Sequence, residues 1–156
     1  MTDKDLADRV ERFINTLNQA RELGLTVVDA APGQLTLSLP YSERIIGNPE
    51  TGVIHGGAIT TLMDTTSGSV MICGLDDFEL CPTLDLRVDY MRPAEPGKPV
   101  HARAEIRKMT RNIAFTRCEA FQEDGEVVAT CVGTFMRIGK EATPKAFRDM
   151  IAGVEQ

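Results

Sequence analysis

Between residues 3 and 22, apolar side chains return at three- and four-residue intervals: Leu6, Val10, Phe13, Ile14 and Leu17. That spacing predicts an amphipathic helix whose apolar stripe packs on other structure. Thr2 and Asp5 read as a capping box at its start, and Gly24 as its stop. The period then drops to two. Residues 25–30 and 34–39 read as strands, the second with Leu35, Leu37 and Leu39 alternating, joined by the turn Ala31-Pro32-Gly33. Residues 40–53 show neither period. They carry Pro40, Gly47, Asn48, Pro49 and Gly52 and read as a long irregular loop, a kind of segment that often carries function.

A helical period resumes from about 54 to 71, with Ile54, Ala58, Ile59, Leu62 and Met63 on the apolar side. The run Thr65-Thr66-Ser67-Gly68-Ser69 has poor helix propensity, so this helix is expected to be enclosed by other structure. Gly74 ends it. Strands follow over 83–90, 100–109, 113–121 and 127–137. In the first, Leu84, Leu86, Val88 and Tyr90 alternate with polar residues. In the third, Ala114, Thr116, Cys118 and Ala120 share one face, and Ile113, Phe115 and Phe121 the other. Asp124-Gly125 signals a two-residue hairpin. A short helix near 143–152 closes the chain. Small-residue strand faces leave room for a helix against the sheet, which predicts an α+β architecture. No linker or repeat divides the chain. Residues 1–156 read as one domain with an N-terminal helix (3–22), a core (23–138) and a C-terminal helix (143–152).

The chain has 156 residues and a net charge of −6, with no tryptophan and no basic run interleaved with aromatics. This argues against nucleic acid as the main partner. A phosphate-bearing small molecule held by a few arginines stays open, with Arg87, Arg92, Lys108 and Arg111 as candidates against their reading as solvated charges. The acidic, polar start is not a secretory signal, and no apolar run is long enough to span a bilayer, so a cytoplasmic protein away from membranes is expected. Four dispersed cysteines (Cys73, Cys81, Cys118, Cys131) and two histidines (His55, His101) form no metal-ligand spacing. No metal and no cofactor are expected, and the thiols read as reduced and core-packed.

The most informative stretch runs from Gly52 to Asp64. A glycine pair, Gly56-Gly57, opens an apolar helix that contains one aspartate. A helix start offers free N–H groups and the positive end of the dipole, and glycine lets another group come close. That suits an oxygen that becomes negative during a reaction. Asp64 lies seven residues, close to two turns, after Gly57. The two share a helix face but sit roughly 10 Å apart along the axis. If both do chemistry, they do it in two symmetry-related sites between subunits. The competing reading is a Gly-rich loop entering a core helix, with Asp64 paired to a buried partner.

The pattern Leu39-Pro40-Tyr41, Asn48, His55-Gly56-Gly57 and Leu62-Met63-Asp64, followed by Thr83 through Tyr90-Met91-Arg92-Pro93-Ala94, resembles the hotdog-fold acyl-CoA thioesterases of the PaaI-like branch. The resemblance covers roughly residues 20–138. It implies a hotdog fold, with a curved antiparallel sheet wrapped around a long central helix. It implies dimers joined sheet edge to sheet edge, usually paired again into tetramers, and acyl-CoA hydrolysis in sites between subunits. Carried over, the Gly57 N–H, with that of Gly56, polarises the thioester carbonyl. Asp64 of the other subunit is general base or nucleophile. Asn48 positions water or thioester unless it is only a turn residue, and Thr83 orients water unless it is only a sheet residue. His55 and Gly56 stand as substrate-binding candidates, with His55 otherwise a structural hydrogen-bonder before the glycines. Arg92 and Arg111 stand as candidates for CoA binding. Two other functions compete: a hotdog hydratase or dehydratase, and a non-catalytic acyl-CoA-binding module.

Overall fold

The computed structural model describes residues 2–154. Helix α1 spans Asp3–Ile14, and the capping box is formed: the Thr2 hydroxyl accepts the Asp5 N–H while the Asp5 carboxylate accepts the Thr2 N–H. The single helix expected over 3–22 is broken. Thr16 Oγ1 donates to the Phe13 carbonyl at 2.7 Å, and Leu17 is extended, so a second helix, α2, starts afresh at Asn18–Leu23. A threonine hydroxyl that binds a nearby carbonyl competes with helix continuation. Gly24 ends α2 in the left-handed conformation, as expected.

Strands β1 (Thr26–Ala31) and β2 (Gln34–Leu39) form the first hairpin. The segment expected to be an irregular loop is more ordered than its composition suggests. It holds a 3-10 turn over Glu43–Ile45 and a small ladder of β3 (Ile46–Asn48) with β4 (Val53–Ile54). This ladder needs Gly47, because a Cβ there would lie 2.8 Å from His55 Cα. Central helix α3 runs Gly56–Ser69 and continues as a 3-10 turn over Val70–Cys73, ending at Gly74. It starts two residues later than its apolar period suggests, because His55 is extended and serves as the N-cap.

Strands β5 (Thr83–Tyr90), β6 (Val100–Met109), β7 (Ile113–Phe121) and β8 (Val127–Met136) complete one antiparallel sheet in the order β1-β2-β6-β7-β8-β5. The final helix, α4, is Lys145–Ala152. The turn at Asp124-Gly125 is longer than a two-residue hairpin. Phe121 pairs with Val127, and the buried Gln122 side chain turns inward to bind the Glu95 N–H and carbonyl.

Helix α3 lies against β2, β5, β6, β7 and β8. Ala102, Ala104, Ala114, Ala120 and Ala129 are fully buried beneath it, and their small size lets it approach. Its underside inserts Leu62 and Met63, both without exposure. Each such side chain contributes about 1.5–3 kcal/mol by leaving water, enough to hold a helix that its own propensity does not support. The alternation in β5 predicts a covered apolar face, but Leu84 is 55% and Tyr90 51% exposed. The cause is position: β5 is an outer strand, with one edge unpaired.

Candidate active site

The extended conformation of His55 lets its Nδ1 accept the Gly57 N–H at 2.9 Å. This caps the start of α3 and fixes the imidazole beside the glycine pair. A side chain on either glycine would crowd a neighbouring ring. A Cβ on Gly57 would lie 2.9 Å from His55 Nδ1, and one on Gly56 3.1 Å from the Tyr90 ring. The Tyr90 hydroxyl donates to the Gly56 carbonyl at 2.7 Å and also meets Thr60 Oγ1. Strand β5 therefore grips the first turn of α3. Gly57, His55, Ala58 and Thr61 line a cavity of about 580 Å³ together with Arg44 and Ile45.

Two turns along α3, the structure brings two of the predicted residues together. Thr83 Oγ1 donates to Asp64 Oδ1 at 2.8 Å. Asp64 is half-buried and Thr83, first residue of β5, is exposed. The partner of this carboxylate is a neutral hydroxyl, not a cation, and a hydroxyl leaves the anion's charge uncancelled. Asp64 and Thr83 line a second cavity of about 160 Å³ that shares no lining residue with the cavity at Gly57. Within one chain the two features are thus separate, as helix rise requires.

A second carboxylate, Glu79, lines the Asp64 cavity but is fully engaged. It accepts Arg137 Nε at 2.6 Å on Oε1 and the Gly139 N–H at 2.6 Å on Oε2. Breaking such a buried pair is costly, which marks Glu79 as structural. Cys81 lines the same cavity, and burial pushes its thiol up to about 12. It is therefore protonated and no nucleophile near neutrality.

The other predicted residues stand apart. Asn48 is exposed, and its Oδ1 accepts the Glu50 N–H at 3.0 Å in the turn after β3. Arg92 is held by Asp124 at 3.3 Å and Glu126 at 3.4 Å, which offset its charge. Arg111 is exposed and lines a third cavity of about 560 Å³ with Lys140, Asp76 and Asp77. Among the described residues, no group of three His, Cys, Asp or Glu side chains is placed to hold a metal ion. Tyr90 was legible only as part of a motif, and its hold on the glycine pair went unassigned.

The thioesterase superfamily profile matches residues 51–129, which include the glycine pair, Asp64 and Thr83. The chain belongs to the thioesterase superfamily. Its fold is the hotdog fold, a sheet of six antiparallel strands against a long central helix. A crystal structure of a protein from Pseudomonas aeruginosa is 57% identical, with a TM-score of 0.79, covering 85% of this chain and 99% of that one. A mutant of the phenylacetic acid degradation protein PaaI from Thermus thermophilus is 30% identical, with a TM-score of 0.66, covering 76% and 96%. The medium/long-chain acyl-CoA thioesterase YigI of Salmonella typhimurium is 27% identical over 139 residues, 81% of this chain and 89% of that protein. In this thioesterase-superfamily chain, no described helix is long and apolar enough to cross a membrane.

Proposed function

We propose that the protein hydrolyses acyl-CoA thioesters to free acid and CoA, in sites that each combine Gly57 of one subunit with Asp64 of another. The observation that carries this reading is the hydrogen bond between Thr83, on an outer strand, and Asp64, both of which line a cavity. A half-buried carboxylate held by a hydroxyl is a suitable base for water. The exposed edge of β5, with Leu84 and Tyr90 half uncovered, supports pairing with a second copy. A homodimer, doubled into a tetramer, is the assembly proposed.

The thioester carbonyl points at the start of α3. There the N–H groups of Gly57 and Gly56, at the positive end of the helix dipole, stabilise the developing oxyanion. The Gly57 N–H meets His55 Nδ1 in the free site, so the imidazole yields or shares that donor when substrate enters. Asp64 takes a proton from water as it attacks the carbonyl carbon, and Thr83 fixes the carboxylate. Collapse breaks the C–S bond, and the proton passes to the leaving CoA thiolate. In the alternative course, an Asp64 oxygen attacks directly, and water then hydrolyses the anhydride. Single turnover in heavy-oxygen water identifies the second course when label enters Asp64, which happens when water attacks the aspartyl carbonyl of the anhydride. Asn48 positions the water or the thioester group, and Arg92 and Arg111 contact CoA.

The test is release of free thiol from a panel of acyl-CoAs, followed with a thiol-reactive dye. Turnover of at least one straight-chain or aryl acyl-CoA is expected. Tight binding without thiol release would instead favour the non-catalytic acyl-CoA module, and water addition to an enoyl-CoA the hydratase.

A further inference from the structure

We propose that the cavity beneath Asp64 and Thr83 receives the acyl tail, and that Phe13 of the N-terminal helix sets its depth. The enzyme then favours compact acyl groups, of about six carbons, over long chains. This rests on the thioesterase reading above and deepens it. The cavity measures about 160 Å³. An apolar cavity of roughly 150 Å³ holds one benzene ring, and a long acyl chain needs several times that. Its lining is mixed: Asp64, Thr83 and the ion-paired Glu79 stand with Phe13, Leu17, Ile72 and Phe78. A thioester whose carbonyl faces the Asp64 carboxylate lays its apolar tail against the apolar side chains, and the charged nucleotide of CoA stays outside.

Two of its lining residues, Phe13 and Phe78, belong to a trio of packed aromatic rings from separate parts of the chain. Phe13 lies 5.5 Å from Phe78 and 6.2 Å from Phe147, centroid to centroid. Three mutually packed rings make a stiffer wall than flexible aliphatic side chains would. One wall residue also shows that the space is not finished core. Ser69 is 1% exposed and its Oγ has no hydrogen-bond partner, a defect that a ligand atom or a carried-in water repairs. This size limit departs from the chain lengths in the name of the Salmonella relative.

The experiment measures kcat/KM for straight-chain acyl-CoAs from butanoyl to hexadecanoyl, in wild type, Phe13→Ala and Phe13→Trp, with melting curves on each. Wild type is expected to peak near about six carbons. Phe13→Ala should raise the dodecanoyl-to-hexanoyl ratio about tenfold or more, and Phe13→Trp should lower it, because misfit in an apolar pocket is read at that scale. A merely structural Phe13 would move both variants the same way. A wild type that prefers long chains overturns the proposal, as do variants that melt normally and shift together or not at all. If Phe13→Ala does not fold, Leu17→Ala takes its place with the same expected rise. If no acyl-CoA is hydrolysed, the thioesterase reading fails first. Calorimetry of hexanoate against dodecanoate then decides the pocket, and absence of a preference for hexanoate overturns it.

Discussion

Thr83 Oγ1 and Asp64 Oδ1 meet at 2.8 Å, tying the first residue of an outer strand to the middle of the central helix. The bond determines which way the carboxylate faces. Thr83→Ala removes the hydroxyl and leaves the carboxylate free to rotate. Turnover should fall several-fold to about a hundredfold, with KM changed far less, since misorientation costs rate. Thr83→Ser should recover most of it. An unchanged rate in Thr83→Ala, with slightly lower stability, would make Thr83 a sheet residue only.

Asp64→Asn keeps the size of the side chain and an oxygen that can still accept the Thr83 hydroxyl. It removes the base or nucleophile. A loss of about a hundredfold or more in turnover is expected. The melting temperature should hold or rise, because a half-buried carboxylate with no cation is costly to desolvate. Near-normal turnover would remove Asp64 from the chemistry.

Tyr90 is a positioning residue: its hydroxyl donates to the Gly56 carbonyl and meets Thr60. Tyr90→Phe keeps the ring against Gly56 and deletes only those bonds. A stability loss of about 1 kcal/mol is expected, the net worth of such a hydrogen bond. If the bond aims the first turn of α3, kcat should drop about tenfold while KM stays, since that turn acts on the oxyanion. A purely structural tyrosine would lower the melting temperature and leave kcat alone.

Much of this is legible in the amino-acid sequence. The period-two and period-3.6 runs located all six strands of the main sheet and the central helix, because burial imposes those periods. The small residues of β7 pointed to a helix against the sheet, and Ala114 and Ala120 are indeed buried under α3. The break at Thr16 was not legible, because a single hydroxyl-to-carbonyl bond interrupts an otherwise unbroken apolar stripe. The β3–β4 ladder was hidden because its stability comes from pairing and from Gly47, not from alternation. At the site, Asp64 and Thr83 lie 19 positions apart, and only strand order brings them together. The engagement of Arg92 with Asp124 and Glu126 depends on the turn between β7 and β8, which the chain pattern gave as shorter than it is.

Burial raises the thiols of Cys73 and Cys81 from 9.0 to about 12. In the unfolded chain both ionise at their ordinary value. Above pH 9 the native state therefore binds more protons than the unfolded state, and stability falls as pH rises. The contribution is complete below pH 9 and is lost between 9 and about 12. In reducing buffer the melting temperature should be level from pH 7 to 8.5 and decline by pH 10.5, within that window. The double variant Cys73→Ala, Cys81→Ala should decline less steeply. An identical slope in the variant would place the alkaline sensitivity elsewhere.

The shared site gives the sharpest expectation. Gly57 and Asp64 line different cavities of the same chain and lie roughly 10 Å apart along α3, so one thioester does not reach both within a subunit. Gly57→Val crowds the helix start, where even a Cβ would lie 2.9 Å from His55 Nδ1, and should be inactive alone. Asp64→Asn should be inactive alone as well. Refolded together, the two variants form mixed dimers in which one site carries both defects and the other carries none. Random pairing makes about half of the dimers mixed, so recovery should approach roughly a quarter of wild-type turnover if the interface is two-fold symmetric. Differently tagged subunits and tandem purification would establish that mixed dimers are present. If such dimers form and stay inactive, the two groups do not serve a common site across the interface. Either both then act within one subunit or one of them takes no part.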